Sequence, residues 1–90
     1  MPYIDKSSRH RLENTCQGGK SIEEIGRKIK NPGEFNYVVT RLAHLYLETN
    51  GQNYQHYNDI LGALEGVKLE LYRRHTSKYE DIKIAENGDV

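Results

Sequence analysis

Residues 32–50 read PGEFNYVVTRLAHLYLETN, and residues 54–74 read YQHYNDILGALEGVKLELYRR. In the first stretch Phe35, Val38, Val39, Leu42, Leu45, Tyr46 and Thr49 recur at intervals of three and four, the period of an α-helix with one apolar face. A helix is predicted from about Pro32 to Thr49. Pro32 suits a helix start or stop because it lacks an N–H, and Asn50-Gly51 ends the run because either residue tolerates left-handed backbone. In the second stretch Tyr57, Ile60, Leu61, Leu64, Val67, Lys68 and Leu71 mark one stripe, while Leu69 and Tyr72 lie off it. A helix with apolar residues on two faces usually has two partners. One is the preceding helix, reached through a short antiparallel turn. The other is expected to be a neighbouring copy of the chain.

The second stripe continues through Tyr79, Ile82 and Ile84 to Asn87-Gly88, with no proline after residue 32 to break it. A helix from 53 to about 87 would be roughly 50 Å long at 1.5 Å per residue. That exceeds what a 90-residue globule covers, so either a bend near His75-Thr76-Ser77 or an end that reaches another chain is expected. On the N-terminal side, Ser21 and Glu24 fit a capping box for a helix carrying Ile22, Ile25 and Ile29, with Lys28 and Lys30 at its C-terminal end. Gln17-Gly18-Gly19 breaks the chain before it. Ser7 or Ser8 is expected to cap a short helix to about Cys16, anchored by Leu12, so residues 1–20 read as a weakly ordered segment or a short helix. Alternating apolar–polar runs are missing. The reading is one all-α domain over residues 1–90: a small helical hairpin or bundle with a long C-terminal helix, completed by oligomerisation.

Composition points the same way. Leu, Ile, Val and Phe number 20 of 90 residues and there is no Trp, so the core is thin. A chain this short hides only about 60% of its unfolded surface, and binding to copies of itself adds stability by mass action. The 13 basic and 13 acidic residues cancel, which weighs against nucleic acid as a partner, since duplex binders carry a basic surplus. Residues 1–30 nevertheless carry +3 and residues 53–90 carry −2, so opposite ends of two copies attract. Cys16 is the one cysteine. It fits a reducing cytoplasm, and neither a signal-peptide core nor a membrane-spanning run is present.

The residues that carry chemistry do not assemble into a catalytic set. His10, His44, His56 and His75 lack the three- or four-residue spacing of paired metal ligands, and no Glu-x-x-His pair occurs. His44 and His56, on either side of the Asn50-Gly51 turn, read as surface or half-buried imidazoles. Cys16 has no oriented base, and Gly19-Lys20-Ser21 ends like a phosphate loop whose first glycine falls on Asn14. Glu65, Glu80 and Asp81 read as solvated charges, and Glu70 stands four residues before Arg74 in the favourable order for a helical ion pair. No cofactor, metal or enzymatic activity is expected.

Binding is better supported. Gly62 and Gly66 share one helix face and suit close approach of another helix or a ligand. Seven of the eight aromatic residues are Tyr, a side chain favoured at interfaces. Tyr72-Arg73-Arg74 sets a ring beside two forked donors suited to phosphate or carboxylate. With Tyr37, Asn36 and Arg41 from the preceding helix, these residues form the candidate ligand site: Arg meets phosphate, Tyr stacks and Asn reads a polar edge. The same residues also fit a tyrosine-rich subunit interface with Arg–Glu pairs.

Three blocks carry a resemblance. Residues 32–42 resemble PGELNYxxTxL, residues 61–74 resemble GxLExxKLELYRR, and Tyr79-Glu80-Asp81 with residues 86–90 resemble YED…ENGDV. They are similar to a family of small uncharacterised proteins of bacteriophage and gut-virus genomes. The likeness covers residues 32–90 well and 1–31 poorly, with Phe35 in place of Leu and Gly66 where Cys is common. The resemblance transfers no activity, but it implies a phage accessory protein acting in the host cytoplasm. By analogy of size and origin, such a protein counters host defence by holding a nucleotide immune signal between subunits. The rival readings are a protein–protein inhibitor of a host defence effector and a nucleic-acid-binding regulator that uses residues 6–30.

Overall fold

The computed structural model describes residues 3–90; Met1 and Pro2, at the head of the N-terminal stretch, lie outside the described residues. The chain forms α1 (Lys6–Glu13), α2 (Ser21–Gly26), α3 (Pro32–Asn50), α4 (Tyr54–Leu71), a π-helical turn (Tyr72–Thr76) and α5 (Ser77–Asn87). Outside the helices, one isolated antiparallel bridge joins Asn14 to Lys20. The fold is all-α with a long C-terminal helical run, as the periodicity predicts.

Local chemistry sets the ends of α3 and α4. The Asn31 side chain accepts from the Glu34 N–H at 2.9 Å, Pro32 fills the first position, and Glu34 accepts in turn from the Lys30 N–H at 2.8 Å. Gly51 takes φ 101° and its N–H closes on the Leu47 carbonyl at 2.8 Å. Asn53 then caps α4 by accepting from the His56 N–H at 2.8 Å. His56 Nδ1 lies 2.7 Å from the Gly51 carbonyl and 3.2 Å from Asn53 Nδ2, so the imidazole buttresses the same turn.

The N-terminal part departs from the sequence reading. Asp5, not Ser7 or Ser8, caps α1, accepting from the Ser8 N–H at 2.7 Å, and the helix stops at Glu13 rather than near Cys16. Asn14 turns extended to bridge Lys20, and the reversal is closed by the Thr15 N–H on the Gly19 carbonyl at 2.8 Å, with Gly18 at φ 87°. Ser21 is not a cap either. Its hydroxyl donates to the Leu12 carbonyl at 2.8 Å and ties α2 to α1. α2 ends at Gly26, before Ile29, where glycine weakens the helix and the Lys28 and Ile29 N–H groups fall back to the carbonyls of Ile25 and Gly26, three residues earlier.

A π turn, Tyr72–Thr76, falls where the bend near His75-Thr76-Ser77 is expected. Leu71, Tyr72, Thr76 and Ser77 all keep helical dihedrals, and the Ser77 N–H bonds the Tyr72 carbonyl five residues back. The helical run therefore passes from Tyr54 to Asn87, and the molecule extends 50 Å along its longest axis.

Little of this is packed. None of the described residues is buried. In the two long helices only Val38, Val39, Ala43 and Leu47 of α3 and His56, Ile60, Gly66 and Glu70 of α4 are half-buried. α1 and α2 pack on each other, and no Cα of either lies within 8 Å of α3, α4 or α5. The radius of gyration is 16.8 Å, against about 12 Å for a compact domain of this length.

Candidate functional site

Three donors converge on one carboxylate oxygen where α4 meets the π turn. Oε1 of Glu70 accepts from Arg73 Nη2 at 2.8 Å, from Arg74 Nε and from the Tyr3 hydroxyl. The Tyr3 oxygen in turn accepts from Arg73 Nη2 at 2.8 Å and Arg74 Nη2 at 3.2 Å, and the Arg74 guanidinium carbon lies 5.9 Å from the centre of the Tyr3 ring. Helical spacing places Glu70 below both arginines, three and four residues on.

The electrostatics follow from the count. Two guanidinium groups face one carboxylate, so the cluster keeps a net positive charge. The Arg73 and Arg74 side chains are 64% and 56% exposed, whereas Glu70 is 21% exposed. Each guanidinium has five donors in a fixed fork. Arg73 commits one nitrogen and Arg74 two among the described residues, leaving N–H groups open to water. The Tyr3 hydroxyl, then Arg74 and Arg73, hold the Glu70 carboxyl down to about 2. Arg73 and Arg74 are pushed further up by the same contacts. Tyr72 points the other way: its hydroxyl donates to Glu80 Oε2 at 2.7 Å, and that carboxylate raises the phenol above its usual range. Arginine can meet an anion here by direct hydrogen bonds, with the Tyr3 ring beside Arg74.

The other sequence candidates stand elsewhere on the chain. Asn36 accepts from the Thr40 hydroxyl at 3.1 Å and borders a cleft with Phe35, Val39 and Leu64. Tyr37, 66% exposed, borders a second cleft with Ile25 and Ile29. Arg41 is exposed on the same helix. No Cα of α3 lies within 8 Å of the π turn. Arg73, Arg74 and Tyr72 are therefore neighbours, while Asn36, Tyr37 and Arg41 lie apart from them on α3, Asn36 and Tyr37 on different clefts. Sequence reasoning missed Tyr3, whose place beside Glu70 has no local signal; the Glu70–Arg74 spacing was the one legible clue.

A different surface runs between α3 and α4. Val39, Leu42 and Tyr46 on one side and Ile60, Leu64 and Val67 on the other line an open groove of about 380 Å³. Tyr46 meets the His56 ring edge-on, with centroids 5.9 Å apart, so His56 is engaged by the turn and by Tyr46. No group of three or more His, Cys, Asp or Glu suited to a metal occurs among the described residues. Cys16 is exposed. Among the described residues no helix is long and apolar enough to cross a membrane.

A family described as a domain of unknown function (DUF6899) matches residues 1–90, and the chain belongs to that family. No curated protein and no solved structure matches it.

Proposed function

We propose that this member of the DUF6899 family is a non-enzymatic binding protein, a phage accessory factor that assembles with copies of itself and sequesters a small anionic ligand such as a host immune-signalling nucleotide. The observation that carries the reading is the exposed Arg73–Arg74 pair sharing one Glu70 oxygen. An excess guanidinium charge with unused donors, beside the Tyr3 ring, is chemistry suited to a phosphate beside an aromatic ring. The ligand's phosphate takes the place of the Tyr3 hydroxyl on the guanidinium groups, and a base stacks on tyrosine. Asn36, Tyr37 and Arg41 complete the site from a neighbouring copy, since one chain holds them apart from Arg73 and Arg74. Holding a ligand in this way requires no reacting group.

A second reading is a protein–protein inhibitor of a host defence effector. The apolar groove between α3 and α4 favours it, because a groove of that kind also accepts a partner helix. Thermal melting against a panel of nucleotides separates the two. A ligand at 100-fold over its dissociation constant stabilises by about 2.7 kcal/mol. The first reading expects such a shift with a nucleotide and its loss in Arg74→Ala; no shift with any nucleotide turns the assignment to the second.

A further inference from the structure

Among the described residues the groove between α3 and α4 has no occupant. Val39, Leu42 and Tyr46 face Ile60, Leu64 and Val67 across it, each set at three- and four-residue spacing. Leu42 is still 60% exposed and Val67 56%. α1 and α2 pack on each other with no Cα within 8 Å of α3 or α4, Ile25 of α2 borders a separate cleft with Tyr37 and Val38, and α5 continues from α4 through the π turn.

The exposed area of the chain bears on what covers the groove. A folded chain of 10.4 kDa ordinarily exposes about 5,400 Å². This one exposes 7968 Å², roughly 2,600 Å² more than that scaling gives. A standard interface takes about 800 Å² from each partner, and obligate homodimers take more. The surplus is therefore of the size that permanent self-association removes. The groove lining is otherwise apolar: Asp59 is the one charged residue among those lining it, and Gln55 Nε2 donates to it at 2.8 Å.

The geometry points to a second copy of this chain as the occupant, its own α3–α4 hairpin laid into the groove so that two hairpins form an isologous four-helix bundle. Helices of 19 and 18 residues, joined by a short turn, are matched in length for that arrangement. Each copy offers the stripe that the other needs, as a two-fold interface requires. The inference gives a surface and a symmetry to the self-association in the proposed function, and it rests on that part of the reading alone.

Sedimentation equilibrium of the full chain over a micromolar concentration range tests it. The expected mass is twice 10.4 kDa or an even multiple of that. Leu64→Glu, which sets a charge in the seam, is expected to reduce the mass at least two-fold, while Arg74→Ala leaves it unchanged. A helical wild-type chain that stays at 10.4 kDa, an odd-numbered assembly, or a Leu64→Glu chain that keeps the wild-type mass overturns the pairing. Where Leu64→Glu loses its helical signal, the wild-type mass alone decides by the same criterion. Failure of the nucleotide panel with an even-numbered assembly intact would remove the ligand reading and leave this one standing.

Discussion

The phenol of Tyr3 donates to Oε1 of Glu70, 67 positions along the chain, on the same oxygen that receives Arg73 and Arg74. The contact joins the segment before α1 to the end of α4, two parts that otherwise share no helix packing. It also makes Glu70 the group whose titration reports on the whole cluster.

A carboxyl held near 2 rather than at its ordinary 4.5 contributes stability that is fully present above the ordinary value and lost as pH falls through the folded one. The cluster should therefore stay intact down to about pH 3 and release Tyr3 as pH approaches 2. Because the Tyr3 hydroxyl is the largest contributor, Tyr3→Phe should move the Glu70 titration upward toward 4.5. Carbon-detected NMR of the Glu70 side chain across pH 1.5–7 checks both statements. An unchanged midpoint in Tyr3→Phe would place the phenol away from Glu70 in solution.

Arg73→Ala and Arg74→Ala should leave the fold standing. Both side chains are more than half exposed, and exposed ion pairs contribute about 0–1 kcal/mol. The expected outcome is a far-ultraviolet circular dichroism spectrum like that of the parent, a melting temperature within a few degrees of it, and at least ten-fold weaker binding of the anionic ligand. A chain that unfolds on either change would make the arginines structural instead.

Helix capping gives a sharper test of the fold. Asn53 satisfies the His56 N–H, and Asn31 the Glu34 N–H. Removing either amide in Asn53→Ala or Asn31→Ala should cost about 1 kcal/mol in urea denaturation. Ser7 lies inside α1 and caps nothing, so Ser7→Ala should change stability by less than about 0.5 kcal/mol. A larger loss for Ser7→Ala than for Asp5→Ala would restore serine as the cap.

These caps also mark where the sequence was readable. α3, α4 and the turn between them follow from signals confined to a few residues: Pro32, Asn50-Gly51 and the spacing of Val39, Leu42, Ile60 and Leu64. α1 and α2 were misjudged at their ends because short helices are bounded by contacts beyond their own residues. Ser21 looks like a cap in sequence, but its hydroxyl is spent on Leu12, nine residues away. The π turn was visible only as a helix too long to run on unchanged. In the site, the Glu70–Arg74 spacing was legible, whereas Tyr3 arrives by tertiary contact alone. The separation of Asn36, Tyr37 and Arg41 from Arg73 and Arg74 depends on how far the long helix runs beyond α3, which residue types do not encode.

Glycine supplies the last test, because two glycines of the hairpin should respond in opposite directions. A Cβ at Gly62 meets nothing within 4 Å, and the residue sits inside α4. Gly62→Ala should therefore stabilise the isolated helix by up to about 1 kcal/mol, the difference in helix propensity. Gly51 holds φ 101° at the turn, a conformation that costs an L side chain about 1–2 kcal/mol, so Gly51→Ala should destabilise. Thermal melts of the two variants, with light scattering on each, read the signs. A loss of stability or of mass in Gly62→Ala would mean that the face left open in one chain is closely covered by another backbone, which would mark a second contact of α4 apart from the groove.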